Sequence, residues 1–373
     1  RIDQFRIRDR WLRVPQNDGL LPFPILIGNE SQVNPLPLHL AEQHDGPHGL
    51  VAGTTGSGKS ELLQTMVVAL ALEHHPYYVN FLLIDFKGGS AFSVFNNLPH
   101  TVGNISNLDK STALRALEAI KAELYRRQEF LNRIKSKDVN DYHSALARLG
   151  KITPGWEPLP HLFIIVDEFA ELAKEMPSFL PELMSTLRLG RALGMHLVLA
   201  TQRPAGAIND EMRSNLNFRI SLRVQSIEDS RDVLRKAEAA MLPKDLPGRA
   251  YFQIGDFGAA HQFQSSYVGG EHADVEIDEP SYFYSIQNEH IDILIDQKNE
   301  SSHNRSEKLP SLVKLMVDEI NETYSKLKEQ FTYHDLPIIL LPPLPEQLSL
   351  AKLVEDESSY IPWWKSKENG FPQ

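Results

Sequence analysis

Cysteine is absent from the 373 residues. That excludes disulfides and thiolate metal sites and fits a reducing compartment. No apolar run approaches the length of about eighteen residues that a membrane-spanning helix needs. Positive charge is also scarce: 38 Lys and Arg against 49 Asp and Glu give a formal net charge of −11. A generic phosphate-backbone binder needs the opposite sign, so DNA is the weaker candidate substrate, although a local basic strip stays open. The 14 histidines show no His-Glu-x-x-His or other metal-ligand spacing and read as structural or surface residues. There is no internal repeat and no long low-complexity tract. The chain begins at Arg1 without a signal-peptide pattern and stops at Gln373, and so reads as a fragment of a longer protein. What is present, 42% hydrophobic and 23% charged residues, is ordinary for a globular protein. The length suits one large α/β domain with appendages, or two domains.

The most informative run is Gly53-Thr54-Thr55-Gly56-Ser57-Gly58-Lys59-Ser60, which fits the phosphate-loop pattern G-x-x-x-x-G-K-[ST] at every fixed position. It lies between an apolar strand-like segment, Gly49-Leu50-Val51-Ala52, and a helix-like run from Glu61 to Glu73. Glycines there let the backbone curl so that successive N–H groups point at phosphate oxygens, at a helix N-terminus that already favours anions. Lys59 then reaches the β- and γ-phosphates, and the Ser60 hydroxyl ligates Mg²⁺. The predicted nucleotide-binding set runs from Gly53 through Glu61, and the expected ligand is a nucleoside triphosphate.

Around this loop the pattern alternates strand and helix. Strands are expected at 49–53, 79–85, 161–167, 196–201 and 218–224, with a hairpin near 249–254 and 261–268. Helices are expected at 59–74, about 109–136 and about 177–193. Continuous apolar strands alternating with helices predict a mostly parallel sheet buried on both faces. Residues 1–48 read as edge strands leading into that core, Phe5-Arg6-Ile7-Arg8 and Phe23 to Gly28, broken by prolines. Residues 49–270 form the nucleotide-binding domain. In 271–373 an acidic stretch and a polar linker precede a helix opened by Pro310, with Leu312, Leu315, Met316, Ile320, Tyr324 and Leu327 at helical spacing. That stripe requires a partner surface. A proline-stiffened tail, Leu341-Pro342-Pro343-Leu344-Pro345, then leads toward whatever follows.

A second signal is Phe163-Ile164-Ile165-Val166-Asp167-Glu168. Four apolar residues ending in an acid place Asp167 at the carboxyl edge of a buried strand, where an open α/β sheet binds its ligand. Asp167 is the candidate Mg²⁺ ligand with Ser60, and Glu168 the candidate base for the attacking water. The strand at 79–85, intervening between the loop and this acid, suits RecA-like motor ATPases of the additional-strand, catalytic-glutamate class better than the small GTPases. Gln202, at the tip of the 196–201 strand, is placed to sense the γ-phosphate or orient water. Arg191 and Arg188, on the helix leading to that strand, and Arg126 and Arg127, on the long helix, are candidates for a finger that reaches a neighbour's γ-phosphate.

Together, Gly-Thr-Thr-Gly-Ser-Gly-Lys-Ser, Val-Asp-Glu-Phe-Ala-Glu-Leu, the run from Gly190 to Pro204 and Phe-Arg-Ile-Ser-Leu-Arg-Val resemble the FtsK/SpoIIIE-type motor ATPases. Within that superfamily, Gly-Pro-His-Gly-Leu, Leu-Leu-Ile-Asp-Phe-Lys-Gly-Gly and the stretch 98–109 look more like the type VII secretion ATPases (EccC/EssC) than the DNA translocases, which usually carry Asp-Pro-Lys where this chain has Asp-Phe-Lys. The resemblance implies a cytoplasmic domain of a membrane-anchored protein with tandem ATPase domains, using ATP and Mg²⁺. It implies neighbouring domains or subunits in a ring such as a hexamer, a secreted helical protein as substrate, and Arg191 as the finger donated in trans. DNA translocation, and a slow-turnover nucleotide-stabilised assembly module, are the alternatives.

Overall fold

The computed structural model describes residues 5–12, 24–31, 34–41, 44–86, 91–106, 110–149, 157–271, 282–287, 290–295, 311–330, 336 and 339–340. In chain order the elements begin α1 (Ile7–Trp11), β1 (Pro24–Asn29), β2 (Pro35–His39), β3 (His48–Ala52), α2 (Lys59–Glu73), β4 (Val79–Asp85) and β5 (Thr101–Ser106). Next come α3 (Lys110–Ile134), α4 (Val139–Leu149), β6 (His161–Asp167), α5 (Phe169–Glu175), α6 (Phe179–Gly190), β7 (Met195–Thr201) and α7 (Asp210–Asn215). The remainder are β8 (Phe218–Leu222), α8 (Ile227–Leu234), β9 (Arg249–Ile254), β10 (His261–Ser265), β11 (Tyr282–Gln287), β12 (His290–Ile295) and α9 (Leu312–Gln330).

One ten-stranded sheet organises the compact unit that runs to Ile339, in the order β2-β1-β10-β9-β8-β3-β7-β6-β4-β5. From β8 to β5 every pairing is parallel, and from β8 outward through β9, β10, β1 and β2 every pairing is antiparallel. Strands β3, β4, β6, β7 and β8 are buried at every residue, which is why they read as unbroken apolar runs. At the β2 edge, Pro35 and Pro37 face outward while Leu36 and Leu38 are buried, so the residues that cannot donate to a ladder lie where no further strand pairs. The β11–β12 hairpin forms a separate two-stranded sheet.

Helix α2 is apolar on nearly all sides because it is covered on nearly all sides. It packs on β1 and β4 and also meets α1 and α9. The stripe expected on α9 is covered within the chain: Val313, Met316, Val317, Ile320 and Leu327 join the main core, and Leu312 and Tyr324 pack against it. The predicted extended stretch at 5–8 is overturned. Ile7 and Trp11, four apart, share one face of α1 and are both buried, and Trp11 Nε1 donates to Ala71 O of α2 at 3.0 Å. A second unit comprises Leu340–Gln373; apart from Leu340, the proline-stiffened tail lies outside the described residues.

Candidate functional site

The loop after β3 is closed by local constraints. Gly58 holds φ at 96°, a region that L side chains rarely adopt, and a Cβ there would lie 2.8 Å from the Gly248 nitrogen. Gly53 lies against the Ser57 hydroxyl, which a Cβ would approach to 2.5 Å. The Ser57 carbonyl accepts from Gly248 N–H at 2.8 Å, and Thr54 gives both its N–H (2.9 Å) and its hydroxyl (3.1 Å) to the Arg223 carbonyl. The loop therefore has its shape fixed by the chain beyond β8 and before β9.

Lys59 opens α2 and points to the neighbouring acids. It is 4% exposed, bonds the Asp167 carboxylate and lies 4.0 Å from Glu168 Oε2. Asp167 ends β6, two strands from β3, with β7 between them. Glu168 adopts φ 62° and ψ 49°, a strained choice for a non-glycine residue, and two observations show what holds it. Its carboxylate accepts from the Thr201 hydroxyl at 3.0 Å and from Gln202 N–H at 3.3 Å, both at the tip of β7. Gln202 in turn accepts from the Thr55 hydroxyl at 3.0 Å through its side-chain oxygen. Thus Thr55, Lys59, Asp167, Glu168 and Gln202 are brought together. Ser60 follows Lys59 in α2 and is half-buried, and Asp167 bonds Lys59; a hydroxyl and a carboxylate are oxygen donors of the kind that suit a hard divalent cation. Glu61 keeps Oε2 buried without a hydrogen-bond partner among the described residues, and burial pushes its carboxyl above the usual range. Asp85 pairs in register with Asp167 and is buried at the next strand end; Lys87 to Gly89 lie outside the described residues.

The arginine candidates are elsewhere. Arg191 caps the end of α6, donates to Asn215 Oδ1 at 3.1 Å and lies beside His48, whose pKa is pushed down to about 3 by burial and then by the Arg191 charge. His48 opens β3 and the loop follows its end, which puts Arg191 roughly 13 Å or more from the loop at about 3.3 Å per residue. Within one chain it cannot touch the same phosphate. Arg127 is 1% exposed, bonds Glu123 Oε1 at 2.7 Å and donates to Leu193 O at 2.9 Å, while Arg126 makes two bonds to Glu123. These are packing ions, and Arg188 is exposed on α6. Arg127→Ala is expected to lower unfolding stability by about 3 kcal/mol, because it empties the space of a fully buried side chain and leaves the Leu193 carbonyl without its donor, while Arg126 still holds Glu123; urea melts check this.

A cleft of about 470 Å³ opens beside the loop, lined by Thr54, Thr55 and Gln202 and by the cations Arg203, Arg223 and Lys244. The sequence reading passed over these three cations. The signal available was position: Arg203 and Arg223 follow the carboxyl ends of β7 and β8, flanking β3.

A phosphate loop after one parallel strand, an Asp-Glu pair two strands away and a polar residue at the tip between them define a RecA-like P-loop NTPase with an additional strand and a glutamate poised at the site. The model of the FtsK/SpoIIIE family matches residues 6–206, and the chain belongs to that family. It is 40% identical over 365 residues to the ESX secretion system protein EccC of Geobacillus thermodenitrificans, covering 97% of this chain and 24% of that protein. Among solved structures it resembles the cytoplasmic domain of the type VII secretion ATPase EccC of Thermomonospora curvata (32% identity, TM-score 0.71, 91% of this chain and 34% of that one). It also resembles the pCW3 conjugation coupling protein TcpA, solved with ATPγS (25% identity, TM-score 0.54, 69% of this chain and 70% of that one). The chain spans about a quarter of the length of the curated relatives it matches.

Proposed function

We propose that this domain binds Mg·ATP and hydrolyses it as one motor module of a larger secretion ATPase. The observation that carries the reading is the buried Lys59, bonded to Asp167 and 4.0 Å from a Glu168 that the β7 tip holds in place. Lys59 supplies the point charge for β- and γ-phosphate oxygens, and Glu168 accepts a proton from the attacking water. Gln202, tied to Thr55, couples the loop to the Glu168 carboxylate, which fits a sensor of the terminal phosphate. Ser60 and Asp167 would hold Mg²⁺, which when bound neutralises charge between the phosphates.

The export role rests on the 40% identity to EccC across 97% of the chain. In that role the substrate is a secreted helical protein, the partners are adjoining ATPase domains or subunits in a ring, and the domain sits on the cytoplasmic side of an anchored protein. No helix among the described residues is long and apolar enough to cross a membrane. Arg191, remote from its own loop, acts only across a subunit boundary. The likeness to TcpA favours a second reading, DNA translocation, against which the −11 charge stands. DNA-stimulated, salt-sensitive turnover separates the two.

Lys59→Ala tests the nucleotide site. Calorimetry with Mg·ATP is expected to show binding lost while the thermal melt persists, because the loop's N–H groups remain but the charge on the phosphates is gone. Unchanged affinity would remove the assignment.

A further inference from the structure

Arg203, Arg223 and Lys244 converge on the cleft beside the phosphate loop. Among the described residues, none of the three has a carboxylate within ion-pair distance. In a chain of net charge −11, three cations that line one cleft without a carboxylate partner give it a local positive potential suited to an anion. Their placement says which one. The Arg223 carbonyl accepts both bonds from Thr54, so its Cα is fixed relative to the leading arm of the loop. Arg203 N–H donates to the Thr201 hydroxyl at 3.1 Å, and that hydroxyl donates to Glu168. Gln202 and Thr55 line the cleft and also belong to the reaction centre. The bonds Thr55–Gln202–Glu168 therefore tie the cleft wall to the reaction centre. Arg223 and Lys244 lie beyond the residues matched by the family model.

We propose that Arg203, Arg223 and Lys244 form a second phosphate wall, supplied by the same chain as the loop, which grips the terminal phosphate of a bound nucleoside triphosphate and sets its preference over the diphosphate. This rests on the nucleotide reading above. The wall does from within the chain what the remote Arg191 would do only from a neighbour. Arg223 carries the largest share, being half-buried and anchored, whereas Arg203 and Lys244 are exposed and act through a screened field.

The test compares a non-hydrolysable ATP analogue with ADP, each with Mg²⁺, by calorimetry on the whole chain. Arg223→Gln keeps the backbone carbonyl that Thr54 needs. It is expected to weaken the analogue about 10-fold or more, as loss of a charge-assisted bond to phosphate does, and to change ADP less than about 2-fold. If Arg223→Gln loses its cooperative melt, Arg203→Gln and Lys244→Gln combined, both exposed, replace it, with a smaller loss of about 3-fold or more expected for the analogue and less than about 2-fold for ADP. Equal weakening of both ligands overturns the proposal. Unchanged affinities with an altered sedimentation coefficient overturn it too, and assign the cations to an acidic surface of a neighbouring chain. If the wild type binds neither ligand and Lys59→Ala makes no difference, the nucleotide reading has failed in its own right, before any wall residue is tested.

Discussion

Glu168→Gln is expected to bind Mg·ATP with little change while turnover falls about 10²–10⁴-fold, the usual loss on removing a positioned base. The substitution is close to isosteric, and the bonds that hold Glu168 survive it. A glutamine side-chain oxygen still accepts from the Thr201 hydroxyl and Gln202 N–H, now at 3.0 and 3.3 Å, so the left-handed backbone at 168 stays supported. What disappears is the capacity to take a proton from water. Lys59 keeps its main partner, because its bond is to Asp167 and Glu168 is 4.0 Å away. The measurement is steady-state phosphate release beside calorimetric affinity on one protein preparation. Matching turnover in variant and wild type would place the base elsewhere. A parallel loss of affinity would mean that Glu168 holds the loop and does not serve the water.

Much of this site could be read before any fold was known, for physical reasons that mark the limits of the reading. Parallel strands covered on both faces must be apolar at every position, so 79–85 and 161–167 matched their observed bounds. Gly58, Lys59, Asp167 and Glu168 are constrained by backbone geometry and by position at a strand end, and both leave a trace in the local sequence. β5, Thr101–Ser106, left none, since an edge strand with mixed burial has neither a continuous run nor clean alternation. α1 is too short for periodicity to register, with only Ile7 and Trp11 to define its face. Arg191 and the cations of the cleft illustrate the larger limit. Arg203, Arg223 and Lys244 are scattered along the chain, and only the order β8-β3-β7 brings them to one place. The same order puts Arg191, which adjoins β7 in sequence, at the opposite end of the strands.

Acidification from pH 7.5 to 5.5 is expected to lower the urea midpoint steeply, well before the carboxylates titrate. Seven histidines are buried among the described residues: His48, His74, His75, His100, His143, His161 and His196. Several gather where the parallel strands begin, at the end of the sheet remote from the loop, with His161 Nδ1 2.9 Å from His196 Nε2. Burial pushes His48, His75, His100 and His196 down to about 3 and His74 and His143 to about 4, with Arg191 adding to the effect at His48 and Arg127 at His143 and His196. Two rings must also be neutral to serve as acceptors: His48 Nδ1 receives Leu197 N–H at 3.0 Å and His75 Nδ1 receives Tyr77 N–H at 3.1 Å. The unfolded chain takes up protons near 6.5, the ordinary histidine value, and the folded chain does not. The stability these groups contribute is thus complete above pH 6.5 and is lost as pH falls from 6.5 toward about 4 and then 3. Each such histidine removes about 1.4 kcal/mol per pH unit once below 6.5. A handful acting together therefore rivals the whole stability of a domain, about 5–15 kcal/mol. His48→Asn offers a carbonyl oxygen to Leu197 N–H without a titrating nitrogen, and should reduce the pH slope of unfolding by about one proton. Urea melts followed by circular dichroism at pH 7.5, 6.5 and 5.5 measure that slope. Stability unchanged across this range would mean that the rings take up protons equally in the folded and unfolded chain.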